Sequence, residues 1–238
     1  MDLKERLDKI LSGSGISSRS EVKKLIRSGR IYVNGEPALT PEMRIDRESS
    51  EVRFDGELLN ISRFRYFMMN KPSGVLSVTE DRSQKTVLDL LSGYDRNLGL
   101  FPVGRLDKDT EGLLLLTNDG DFAHRIISPS SGISKNYYAE VDGMPDASDA
   151  EAFEDGLILG DGTQCLPAHL ELLGGNRCVV TVFEGKYHQV KRMLASRGKP
   201  VKILKRLSVG GLELPEELDR GEYCELSHDQ LCKIFNGN

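Results

Sequence analysis

The chain has 238 residues, 32 Lys plus Arg against 37 Asp plus Glu, a formal charge of -5, 38% apolar residues and no Trp. That share of apolar residues, with 29% charged, can bury a core and excludes disordered, collagenous and coiled-coil readings. Apolar runs such as Leu113 to Leu116 are too short to span a bilayer and Met1 to Glu5 lacks an export signal, so no membrane is expected and the cytoplasm is the expected compartment.

In chain order, Leu3, Leu7, Ile10 and Leu11 keep helical spacing up to Gly13-Ser14-Gly15. Ser18 and Glu21 fit a capping box for a second helix, Val22, Leu25 and Ile26 give it one apolar face, and Gly29 is placed to stop it. Arg19, Lys23 and Arg27 recur every fourth residue and project together from that helix. A strand, Ile31 to Val33, enters the hairpin turn Asn34-Gly35, and Val52 to Phe54 and Leu58 to Leu59 complete a small domain over 1–60.

A second domain is expected over 63–238. Its strand candidates are 66–69, 75–78, 113–117, 137–141, 168–173, 179–183, 200–206 and 208–214, with a basic helix between Gly185 and Gly198. Their irregular spacing predicts an α+β fold: a mixed, largely antiparallel sheet flanked by helices.

Charge is strongly segregated. Residues 19–30 carry five basic side chains and one acidic, 185–206 carry eight basic and none acidic, and 207–238 carry seven acidic and two basic. Net acidity therefore does not exclude a nucleic-acid partner, although a solvated helix face is the ordinary reading of either basic run. There is no P-loop, dinucleotide fingerprint, H-E-x-x-H or G-x-S-x-G. The four histidines are scattered and the four cysteines form no C-x-x-C pair, so neither cofactor nor metal is expected.

Three stretches are locally over-specified: 70–91, opening Asn70-Lys71-Pro72-Ser73-Gly74; 101–120, a charge-dense loop before an apolar strand; and 183–198, the basic helix. Asp107 sits in the second loop, where a turn or capping carboxylate is the ordinary reading. Residues 6–35, with Arg6-Leu7-Asp8, a Ser18-Arg19 helix start and Gly29-Arg30-Ile31-Tyr32-Val33-Asn34-Gly35, resemble the S4 RNA-binding domain. The pattern G-R-L-D-x-x-T-x-G-L-L-L-L-T-N-D-G at 104–120 resembles the signature of the RsuA and RluA pseudouridine synthases. The 70–74 motif and Lys135-Asn136-Tyr137 match two more of that superfamily's motifs in order.

This resemblance implies a chain that isomerises a uridine of ribosomal RNA to pseudouridine without a cofactor. Asp107 matches the catalytic aspartate, Lys191 the basic partner that keeps it ionised, and Tyr137 the tyrosine that packs on the target base. Its neighbour Tyr138 is expected in the core. Arg105 matches the arginine that fills the gap left by the unstacked uridine. Lys186, Arg192, Lys199, Lys202, Lys205 and Arg206 are expected along the approach as phosphate contacts, and Arg19, Lys23 and Arg27 on the S4 surface. Lys71 is expected to be structural or to position RNA. Tyr187-His188-Gln189 within 184–193 is similar to the small-subunit group, whereas large-subunit members more often carry Asn-Arg-Glu or Asn-Arg-Gln there. The expected partner is ribosomal RNA, naked or within a partly assembled small subunit, and the expected state is a monomer. The competing readings are a large-subunit or transfer RNA enzyme and a non-catalytic S4 assembly factor.

Overall fold

A computed structural model describes residues 4–236. The chain forms two contact units, 1–65 with 91–100 and 66–90 with 101–238. Residues 91–100, which lie beyond the boundary expected from sequence, thus belong by contact to the first.

In the first unit, β1 (Glu5–Arg6) leads into α1 (Leu7–Gly13) and then α2 (Arg19–Arg27). Leu3 lies outside the described residues, and the helix begins at Leu7 because residues 5–6 pair with β4 (Arg44–Ile45). The capping box on α2 is only half formed. Ser18 accepts from the Glu21 N–H, but the Glu21 carboxylate turns to Lys24 at 2.7 Å. Gly29 N–H closes the helix on the Ile26 carbonyl at 3.1 Å. The strands β2 (Ile31–Val33), β3 (Glu36–Pro37), β5 (Val52–Phe54) and β6 (Glu57–Leu58) form a sheet in the order β3-β2-β5-β6. Asn34 and Gly35, at φ +51° and +85°, make the left-handed turn between β2 and β3. Leu7, Ile10, Leu11, Val22, Ile26 and Ile31 fill the core of this unit. The short α3 (Gly93–Arg96) completes it.

The second unit is built on one nine-stranded sheet. Its elements are β7 (Tyr66–Lys71), β8 (Phe101–Pro102), β9 (Glu111–Thr117), α4 (Gly120–Ile127), β10 (Lys135–Val141), α5 (Ala147–Asp155), β11 (His169–Gly174), β12 (Arg177–Val182), α6 (Gln189–Ser196), β13 (Val201–Val209), β14 (Leu212–Glu213), β15 (Tyr223–Glu225) and α7 (His228–Asn236). The order is β11-β12-β10-β13-β9-β7-β15, with β14 on β13 and β8 on β9. Every pairing is antiparallel except β13 with β9. The mixed, largely antiparallel sheet flanked by helices is the architecture expected.

Leu113, Leu114, Leu115 and Leu116 are all buried, as a central strand covered on both faces requires. One core lies under α5 and α6, a second under α4 and α7. The parallel join depends on Gly112: a Cβ there would lie 2.2 Å from the Arg206 carbonyl oxygen, so only glycine lets β9 meet β13.

Two strand expectations fail. Residues 75–78 form no strand, and Leu76 makes a single bridge to Thr86. Residues 208–214 are not one strand, because β13 runs through to Val209 and turns at Gly210-Gly211 into β14. The basic helix starts at Gln189 rather than Gly185, after a turn in which Lys186 N–H binds the Gln189 amide oxygen at 2.9 Å.

Candidate active site

Asp107 lies on the loop between β8 and β9, and the first motif holds that loop from behind. Lys71, at the end of β7, is fully buried, and its ammonium donates to the carbonyls of Thr110 at 2.8 Å, Pro72 at 3.0 Å and Lys108 at 3.2 Å. Gly74 N–H donates to the same Lys108 carbonyl at 2.7 Å. Ser77 Oγ donates to the Leu106 carbonyl at 2.9 Å and accepts from the Leu106 N–H at 3.2 Å. Asp107 closes the turn by accepting at its carbonyl from Thr110 N–H at 3.1 Å. Lys71 is therefore a clamp beneath the loop and not an RNA contact, and burial pushes its ammonium pKa down to about 8.

The Asp107 carboxylate, about a quarter exposed, faces two groups from the α6 segment: Lys191 Nζ lies 3.0 Å from Oδ2 and His188 Nε2 lies 3.2 Å from Oδ1. Lys191 also reaches Asp109 Oδ1 at 2.6 Å. Burial works against the Lys191 charge, but hydrogen bonds to Asp109 and Asp107 outweigh it and raise its pKa. The hydrogen bond from Lys191 holds the Asp109 carboxyl below its ordinary value. Neither His188 nor Asp109 was expected from sequence. The signal for His188 was its place immediately before the basic helix, where it adopts a left-handed φ of +47° and stacks on the exposed Tyr187 ring at 3.9 Å.

Tyr137, on β10, lines the same cleft as Asp107, Arg105 and Lys191. Its hydroxyl lies 3.5 Å from Arg206 Nη1. Tyr137 packs on the α5–α6 core, whereas Tyr138 on the opposite strand face is only half-buried and donates to Glu140 at 2.7 Å; the expectation that Tyr138 is the core residue is reversed. Arg105 is exposed at the cleft rim, with no hydrogen bond or ion pair among the described residues.

The proposed phosphate contacts divide. Arg206 is 5% exposed and donates from Nε to the Leu113 carbonyl at 2.7 Å, so it is a wall of the site rather than a surface contact. Lys186 is paired with buried Glu184, Arg192 with Asp161 at 2.6 Å, Lys199 with Asp149 at 3.2 Å and Lys202 with Asp142 at 3.0 Å. Much of the +8 run is thus neutralised within the chain. Lys205 and Arg206 are the two members of the run without an ion pair among the described residues, and of these Lys205 alone is outside the core.

On α2, Arg19 is tied to buried Asp8, with both contacts at 3.3 Å. Hydrogen bonding from Arg6, then from Arg19, outweighs burial and holds the Asp8 carboxyl at about 2. Lys23 and Arg27 have no ion-pair partner among the described residues. Among those residues no group of three or more His, Cys, Asp or Glu could hold a metal ion, and no helix is long and apolar enough to cross a membrane.

Residues 65–196 match the RNA pseudouridylate synthase family and residues 5–52 the S4 domain. The chain is 44% identical over 230 residues to an uncharacterized RNA pseudouridine synthase of Bacillus subtilis, YtzG, covering 95% of this chain and 96% of that one. It is 37% identical to the ribosomal small subunit pseudouridine synthase A of Vibrio cholerae over 97% of this chain and 99% of that one. A solved pseudouridylate synthase superposes with a TM-score of 0.68 at 36% identity, covering 96% of this chain and 99% of the other. The chain belongs to the RNA pseudouridylate synthase family, isomerases that act on RNA, and carries an S4 domain at its N-terminus.

Proposed function

We propose that this chain converts a specific uridine of small-subunit ribosomal RNA to pseudouridine, with Asp107 as the catalytic carboxylate. The observation that carries the reading is the setting of Asp107: a carboxylate on a loop clamped from below, held against Lys191 and His188, in a cleft shared with Tyr137 and Arg105.

In the reaction the C1′–N1 bond breaks, the uracil turns, C1′ bonds to C5, the C5 proton leaves and N1 gains a proton. No electrons are exchanged with another molecule, so one fixed anion and a dry pocket meet its needs. Asp107 serves either as the nucleophile at C1′ or as the base that starts glycal formation, and both roles need it ionised. Lys191 supplies the compensating charge as water is excluded. Tyr137 stacks on the uracil and retains it while it turns. Arg105, exposed at the rim and without a partner among the described residues, fills the place of the extruded uridine or stacks on its neighbours. Exposed Tyr187, stacked on His188, adds an aromatic surface for an unpaired base.

The choice of small subunit is supported by Tyr187-His188-Gln189 and by likeness over nearly full length to small-subunit synthases of Vibrio cholerae and Haemophilus influenzae. A putative chloroplastic large-subunit synthase of Arabidopsis thaliana is 34% identical, with 60% of its length covered. Carbodiimide mapping of pseudouridines in cells lacking this chain, and again after its return, tests the choice. One small-subunit uridine should lose and regain its reverse-transcription stop. A stop lost only from large-subunit or transfer RNA would overturn the substrate, and no lost stop would favour the assembly-factor reading.

A further inference from the structure

Beyond Tyr137 from Asp107 lies a second recess, sharing Tyr137, Arg105 and Gly185 with the first cleft. Its walls are apolar, formed by Val103, Leu115 and Ile126, and its polar lining consists of Lys135, Arg206 and Arg105 beside the Tyr137 hydroxyl, with no acidic side chain. Lys135 is 8% exposed, and its ammonium donates to a single acceptor among the described residues, the Ile133 carbonyl at 2.8 Å. Arg206, at 5% exposed, spends Nε on the Leu113 carbonyl and Nη1 on Tyr137, leaving Nη2 without an acceptor among the described residues. Two buried cations with spare donors and no counter-charge are costly to fold. Burial, with Arg206 adding repulsion, pushes the Lys135 pKa down to about 8.

Such a lining fits a ligand that brings acceptors to the cations and flat apolar faces to the aliphatic walls. A phosphate satisfies the first demand only. A pyrimidine or purine with keto oxygens on its edge satisfies both. We propose that this recess is a second nucleotide subsite, which takes the keto-bearing base of a nucleotide flanking the target uridine, its oxygens accepting from Lys135 and Arg206. This rests on the Asp107 cleft receiving the target uridine. Arg105, on the border of both recesses, then separates two extruded bases, and sequence preference beside the target is read here.

The test uses the full chain labelled at isoleucine and valine methyl groups, titrated with pentauridylate and with an abasic ribose-phosphate strand of the same length. The methyl signals of Ile126 and of Ile127, which also lines the recess, should move with pentauridylate and not with the abasic strand. Lys135→Met, near in length but without the charge, should weaken the dissociation constant read at those methyls at least about tenfold, the loss of one hydrogen bond to a charged donor. Unmoved Ile126 and Ile127 signals, equal shifts with the abasic strand, or an unchanged constant in Lys135→Met would each overturn the subsite. If that variant does not fold, the comparison of the two strands on the unaltered chain decides alone. Val190, which lines the Asp107 cleft, reports separately: its silence beside moving Ile126 signals would count against the target cleft and not against the second recess.

Discussion

Replacing Lys71 by Met keeps most of the side-chain volume and removes the ammonium that gathers three carbonyls of the 70–74 and 107–110 segments. Each buried carbonyl left without a donor costs about 1–3 kcal/mol. Against this stands the cost of burying a cation, expressed in a pKa lowered from 10.5 to about 8. The opposing effects leave a modest net change at neutral pH, but their pH dependence has one sign. Below pH 8 the lysine is protonated in both the folded and unfolded chain, and the folded state bears the full burial penalty. Between pH 8 and 10.5 the unfolded chain holds a proton that the folded chain has released, so rising pH stabilises the fold. By pH 9.5 the gain is about 2 kcal/mol at ~1.4 kcal/mol per unit. Urea denaturation of both proteins from pH 7 to pH 9.5 should show the unaltered chain gaining stability relative to Lys71→Met by that order. Release of tritium from C5-labelled uridine should fall at least about tenfold in the variant at neutral pH, since a small displacement of Asp107 suffices for such a loss. A stability difference flat in pH, or falling as pH rises, would refute a desolvated Lys71, and undiminished release would refute its service to the loop.

Lys191→Met should lower kcat by about 100-fold or more with a smaller change in KM, as expected when a group acts on the reacting anion. Carboxyl NMR titration should then show the Asp109 pKa rising, because the hydrogen bond that lowers it is gone. Lys23→Glu combined with Arg27→Glu should weaken RNA binding and flatten its dependence on log salt by about 1.4–1.8, two contacts at 0.7–0.9 each, as read by filter binding. Gly112→Ala should cost several kcal/mol in thermal melts, since its Cβ cannot occupy a place 2.2 Å from the Arg206 oxygen without parting β9 from β13.

Features governed by local chemistry were legible in the sequence. Asn34-Gly35 adopts the turn that its two residues favour, and the Leu113–Leu116 run is the buried strand that its composition implies. Residues 75–78 read as a strand because Val75, Leu76 and Val78 suit one, yet Ser77 is committed to Leu106 in the active-site loop, a long-range pairing that periodicity does not carry. For the site, Asp107, Lys191, Tyr137 and Arg105 were brought together by resemblance and are neighbours in one cleft. What failed was the assignment of cations to solvent. Arg206 is spent on a backbone carbonyl, and the acids that neutralise Lys186, Arg192, Lys199 and Lys202 come largely from distant segments, so a basic run in sequence is not a basic surface in the fold. His188 was weighed as a metal ligand and as part of Tyr187-His188-Gln189 but not as a partner of Asp107, to which its left-handed backbone turns the ring.

The central claim is that the Asp107 carboxylate performs the isomerisation, and it is tested most directly by Asp107→Asn, which keeps the side-chain shape and removes the charge. Small-subunit ribosomal RNA carrying tritium at uridine C5 is supplied to both proteins, with RNA affinity measured alongside. The account predicts that the variant binds the RNA within about twofold of the unaltered chain and releases tritium at least about 10⁴-fold more slowly. Release at an undiminished rate by a variant that binds normally would contradict it.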